Sequence, residues 1–136
     1  MTAAIVSRHP DARVGTVSPA TRDDGTNRRA RFQLSYVAGS GPASVFLKAH
    51  SPKHRIVHLR NGNLFNEARL FAATVPLAIE HPLVYRSIID WLRLDFLLVM
   101  EDLLNRDADP RDATWPMTVD QVASGMKGLA SLHSQY

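Results

Sequence analysis

Between Arg28 and Val37 apolar and polar residues alternate without a break, Ala30, Phe32, Leu34 and Tyr36 against Arg29, Arg31, Gln33 and Ser35. A period of two sends one set to a core and the other to water, so this stretch predicts a half-buried strand. Just before it, Arg22 to Asn27 is a dense run of turn formers in which Gly25 can take positive φ and Asn27 tolerates it, which predicts a hairpin tip. The partner strand is expected from Arg13 to about Val17, behind a helical turn over residues 2 to 8 that His9-Pro10-Asp11 breaks. Downstream, Ala38-Gly39-Ser40-Gly41-Pro42 turns the chain into a third strand, Ala43 to Ala49. There Val45, Leu47 and Ala49 face away from Ser44, Phe46 and Lys48.

The polar stretch from Ser51 to Asn61 carries no periodic signal, and Asn61-Gly62-Asn63 offers caps for a helix beginning at Leu64. Leu64, Ala68, Phe71, Ala72 and Val75 recur at spacings that predict one amphipathic helix ending near Pro76. Leu83 to Asp90 reads as a fourth strand. Asp95 to Glu101 reads as a fifth, whose continuous apolar run implies burial on both faces and antiparallel pairing with the fourth. Asn105 to Asp112 is a charged loop with Pro110. Thr118-Val119-Asp120-Gln121 has the form of a capping box heading a last helix, with apolar positions Val119, Val122, Met126, Leu129 and Leu132. Three strands, a helix, two strands, a linker and a helix make an α+β chain.

Composition narrows the function classes. The chain has 136 residues, 45% of them hydrophobic and 21% charged, which suits one folded domain with one modest core. No cysteine is present, so disulfide frameworks, thiolate metal sites and cysteine nucleophiles are excluded together. The longest apolar run, Phe96 to Met100, is too short to span a bilayer, and Met1 to Ile5 lacks the layout of a signal peptide; the chain is read as cytoplasmic and off the membrane. Net charge is +3, with thirteen Arg against three Lys, but basic residues do not interleave with aromatics on a strand face, so nucleic acid is not the expected partner.

A lysine in the middle of a strand, on the face of Phe46, needs a counter-charge. Glu67 borders the buried stripe of the following helix and can reach it. The pair is either a structural ion pair or a strand lysine oriented by a helix glutamate to hold nucleotide phosphates. His50, His54 and His58 recur at spacings of four, but no ordered carboxylate accompanies them and Pro52 intervenes, so a metal site is not expected.

The element order, together with Val45-Phe46-Leu47-Lys48, Phe65-Asn66-Glu67-Ala68-Arg69 and Leu98-Val99-Met100-Glu101-Asp102-Leu103, resembles the N-terminal lobe of protein-kinase-like enzymes. Asp24-Gly25-Thr26, Gly41-Pro42, the Glu-Asp-Leu segment and Leu129 to His133 are similar to the aminoglycoside phosphotransferase and ecdysteroid-kinase-like family. The resemblance implies a five-stranded antiparallel sheet with one helix after strand three, a lobe and hinge over 1–103, and a linker and first helix of a second lobe over 104–136.

For function, the resemblance implies the ATP-binding portion of a small-molecule kinase, truncated and inactive alone, that works with Mg2+ and a hydroxyl acceptor. Lys48 would hold phosphates and Glu67 orient it, Gly25 and Thr26 would lie over the phosphates, and Glu101, Asp102 and Leu103 would flank the adenine. Arg28, Arg29 and Arg31 come after the phosphate loop as further cations or as a solvated strand face, and Asp24-Gly25 is equally a plain hairpin turn. Only Ser134, Gln135 and Tyr136 come after His133, so the catalytic-loop and metal-binding motifs expected beyond the last helix are absent, and His133 is expected to pack partly buried. Alone, the chain is expected to bind ATP weakly or not at all, and to self-associate or meet a complementing lobe. The alternative is a stand-alone binding module without catalysis.

Overall fold

A computed structural model gives the structure and describes residues 1–73, 76–106, 108 and 114–135. Five strands form one antiparallel sheet: β1 (Arg13–Asp24), β2 (Asn27–Ala38), β3 (Ser44–His50), β4 (Val84–Asp90) and β5 (Asp95–Glu101), in spatial order β1-β2-β3-β5-β4. The helices are α1 (Thr2–Ile5), α2 (Arg55–Arg60), α3 (Asn66–Ala72) and α4 (Val119–Gln135), with 3-10 turns at Pro52–His54 and Leu103–Arg106. The α+β class and sheet are those expected.

β5 holds the core together. Phe96, Leu98, Val99 and Met100 are all buried, and successive side chains go to opposite faces. Leu98 and Met100 join Leu64, Phe65 and Ala68 under α3, whereas Val99 joins Val45, Leu34 and Ile5 under α1. Each helix is fastened as well as packed. Ser87 donates its hydroxyl to the Ala68 carbonyl at 2.7 Å on the α3 side. On the other side Thr2 Oγ1 accepts from the Val14 amide at 3.0 Å, and Arg86 donates to the Ala3 carbonyl at 2.9 Å. Trp91, in the turn after β4, sets its ring edge to face with Phe65 and lies beneath Arg69 of α3.

Several expectations need correction. β1 runs to Asp24 rather than stopping near Val17; it is an edge strand, exposed along nearly its whole length, so burial leaves no alternation to read. Pro19 fits within it because an edge strand can spare one amide. The stretch read as featureless contains α2, whose Ile56, Val57 and Leu59 face outward and so give no core-facing stripe. Two short helices therefore come after β3 in place of one. α3 begins at Asn66: Leu64 and Phe65 are buried ahead of it, and Phe65 occupies the cap position. Asn61 and Gly62, the latter at φ +65, end α2 rather than open α3. Gly25 does not adopt positive φ; Gly39 does, where a Cβ would run into the Asp11 carbonyl. Val75, most of the charged loop to Asp112, and Tyr136 lie outside the described residues.

The capping box is formed as read, with the Thr118 amide donating to Gln121 Oε1 at 2.9 Å and the Gln121 amide to Thr118 Oγ1 at 3.2 Å. The helix it starts keeps its apolar face open: Val119 is 85% and Met126 60% exposed. His133 on α4 is exposed, not packed: that end of the helix is held through Gln135, which donates to the Pro76 carbonyl and accepts from the Ala78 amide, on residues other than His133.

Leu98 has no accessible surface. Leu98→Ala is expected to lower the unfolding free energy by about 2 to 5 kcal/mol in urea titration, through lost contacts and the cavity left between β5 and α3.

Candidate functional site

Face alternation decides what surrounds Lys48. β2 and β3 pair with Arg29 opposite Lys48 and Arg31 opposite Phe46, so the three cations project from the same face of the sheet, the one α3 packs on. Arg28, one residue away, points from the other face beside Ala49. Among the three arginines weighed from sequence, structure therefore selects two.

Glu67, at the first turn of α3, meets Lys48 with Oε2 2.5 Å from Nζ. Both side chains are partly screened from water, and the contact holds the ammonium against the carboxylate. The pair borders a cleft of about 300 Å3. Phe46, Met100, Pro82 and Leu103 give the cleft apolar walls, and Arg29, Arg31, Lys48 and Glu67 give it a charged end. Glu101 and Asp102 bring the chain leaving β5 along its border. A concave site with apolar walls and charge gathered at one end has the make-up of a small-molecule pocket.

The acidic side chains at that border are already engaged. Asp102 is 2% exposed, and its carboxylate accepts from Ser44 Oγ at 2.6 Å. Arg31 Nε approaches the same oxygen at 2.7 Å, off the line of a directed hydrogen bond, so this contact is a pairing of charges. Asn105 closes the group by donating to the Ser44 carbonyl. Glu101 accepts from the Leu83 amide and pairs with Arg106 Nε, each at 3.0 Å. Asp102 and Glu101 thus shape the segment, whose backbone is also engaged: the Glu101 amide donates to the Leu83 carbonyl at 2.7 Å, and the Asp102 carbonyl accepts from the Asn105 amide at 2.9 Å. Ser44, Asn105 and Arg106 escaped notice because a single Ser, Asn or Arg in a loop carries no spacing signal.

Gly25 and Thr26 sit at the β1–β2 tip and do not line the cleft. Asp24 pins that tip to the end of β3. It accepts from Ser51 Oγ at 3.1 Å and lies 3.5 Å from Lys53 Nζ. Desolvation pushes its pKa up, but the Ser51 hydrogen bond and the charges of Lys53 and Arg28 outweigh this, and the net effect is a lowered value.

Of the three histidines, only two meet: His50 and His58 stack edge to face with ring centroids 5.6 Å apart. Among the described residues there is no group of three or more His, Asp or Glu placed to hold a metal ion. His50 is 1% exposed and neither ring nitrogen has a hydrogen-bond partner. Burial, aided by His58, Arg55 and Arg28, lowers its pKa against the opposing pull of Asp95.

No helix among the described residues is long and apolar enough to cross a membrane. No family model matches the sequence, and neither a curated protein nor a solved structure matches it.

A histidine held neutral in the fold binds a proton more readily once unfolded, so its contribution to stability is complete above its ordinary value of 6.5 and is lost as pH falls below it. Guanidinium denaturation midpoints are expected to drop between pH 7 and pH 5.5, a window above that in which Asp24 titrates, and the drop is expected to shrink in His50→Gln. An unchanged pH profile in that variant would remove His50 as the cause.

Proposed function

We propose that the chain is the nucleotide-binding portion of a cytoplasmic small-molecule kinase, transferring a phosphoryl group from ATP to a hydroxyl. The observation that carries the reading is the Lys48–Glu67 contact at 2.5 Å, set at the charged end of a cleft whose far wall is the segment leaving β5. The sheet order and the helix after β3 agree with the lobe that the sequence motifs resemble. In this reading Lys48 neutralises and positions phosphate oxygens, and Glu67 fixes the lysine. Phe46, Met100 and Leu103 enclose the adenine ring. Arg29 and Arg31 flank Lys48 with their charges balanced by Asp23 and Asp102. Phosphoryl transfer is largely a matter of positioning and charge stabilisation, and these residues do that part. Mg2+ would enter on the phosphates, with its carboxylate ligands and the residue that takes the acceptor's proton supplied by a complementing lobe. The open apolar face of α4 suits such a lobe.

That same face supports a second reading, a binding module in which α4 docks on another protein and no phosphoryl transfer occurs. The two differ in the cleft. Millimolar ATP with Mg2+ is expected to shift the backbone amide resonances of Phe46, Lys48 and Leu103, and Lys48→Ala is expected to weaken the effect about tenfold or more. Shifts that persist unchanged in Lys48→Ala, or none at the cleft, would overturn the kinase reading in favour of the module. Micromolar affinity in the isolated chain would overturn the need for a second lobe.

A further inference from the structure

The face of the sheet opposite Lys48 is only half covered. α1 seals the end where Leu34, Val45 and Val99 lie, whereas Phe32, Leu47 and Leu97 towards the hairpin remain partly buried at best. Between the β1–β2 hairpin and β5 this leaves a hollow of about 410 Å3, larger than the cleft at Lys48. Ala49 and Leu97 line both it and a second hollow of about 350 Å3 beside Ile88, so the two form one trough.

Charge is placed at one end of the trough. Register puts Arg22 opposite Ala30 and Arg28 opposite Ala49, so both project from this face, and both line the hollow. Arg22 has no carboxylate partner among the described residues. The nearest acid to Arg28 is Asp24 at 3.8 Å, which already accepts from Ser51 and faces Lys53. The acids at the other end are engaged locally: Asp90 pairs with Arg93 at 3.0 Å, and Asp95 caps the Phe96 amide at 2.8 Å.

We propose that this trough binds a small amphipathic anion, an unbranched alkyl carboxylate whose chain lies along Phe32, Leu47 and Leu97 and whose head group meets Arg22 and Arg28. An apolar floor gains from covering by a chain without polar atoms, and the volume is in the range of small-molecule sites. Guanidinium forks pair with carboxylates through two parallel hydrogen bonds, which an unengaged arginine at the rim is free to make. A cationic amphiphile would meet repulsion at the same place. The site lies across the sheet from the nucleotide cleft, and Arg29 is the one lining residue the two hollows share.

The test is a titration of the full chain with decanoate, decylamine and decanol below their aggregation thresholds, monitored by backbone amide shifts. Decanoate is expected to move Phe32, Leu47 and Leu97 and to bind at least about tenfold more tightly than decylamine, with decanol between them. Arg22→Glu, at an exposed edge-strand position, is expected to abolish that preference, and Arg28→Gln to reduce it, with circular dichroism unchanged. Lys48→Ala is expected to leave decanoate binding intact, which separates this site from the cleft. Equal binding of the three amphiphiles would show a merely apolar patch. Shifts confined to Val122 and Met126 would place binding on α4, and trough shifts produced by dilution alone would show a second copy of the chain there. Any of these results overturns the proposal.

Discussion

β3 and β5 lie side by side in the middle of the sheet, and β5 has large apolar side chains on both of its faces. Backbone pairing satisfies its polar groups along the strand edges, but its two surfaces cannot be left to water. That requirement organises everything else. α3 must lie on one face and α1 on the other, and the Ser87, Thr2 and Arg86 hydrogen bonds hold them at the angles that close over Leu98 and Val99. The position of Glu67 is a result of the same requirement, because α3 is anchored by the burial of Ala68, the very next residue. An ion pair that looks like a device for chemistry is therefore placed by packing.

The charged groups divide by how far they are removed from solvent. Asp102 is enclosed, so its interactions with Ser44 and Arg31 define the path of the chain after β5, and an unpaired carboxylate there would be strongly destabilising. Lys48 and Glu67 are intermediate, screened enough to hold one geometry and open enough to be reached. Arg22 stands at the other extreme, exposed and unengaged among the described residues. His50 departs from the pattern, since it is enclosed with no hydrogen-bond partner for either ring nitrogen, and burial favours its neutral form.

How much of this could be read from the residues depended on whether burial left a regular imprint. β2 and β5 were legible because one has a clean inside and outside and the other has two insides. The capping box at Thr118 was legible because its two hydrogen bonds need particular side chains three residues apart. α2 was not, since a helix with its apolar residues facing water is indistinguishable from a polar connector. α3 was over-extended because Leu64 and Phe65 are buried by the same core without belonging to the helix. The Lys48–Glu67 contact was anticipated from charge necessity. The Ser44–Asp102–Asn105 group joins residues nearly sixty positions apart and had no local trace.

β2 serves two surfaces at once. By register its odd-numbered residues Arg29 and Arg31 face the cleft and its even-numbered residues Arg28, Ala30 and Phe32 face the trough, with the Arg29 side chain bordering both. A slip of one residue against β3 would exchange the sets, turning Ala30 and Phe32 towards Lys48 and driving two guanidinium groups onto Leu47 and Leu97. The strand can accept many substitutions on either side, but a single inserted or deleted codon within it would spoil both surfaces together.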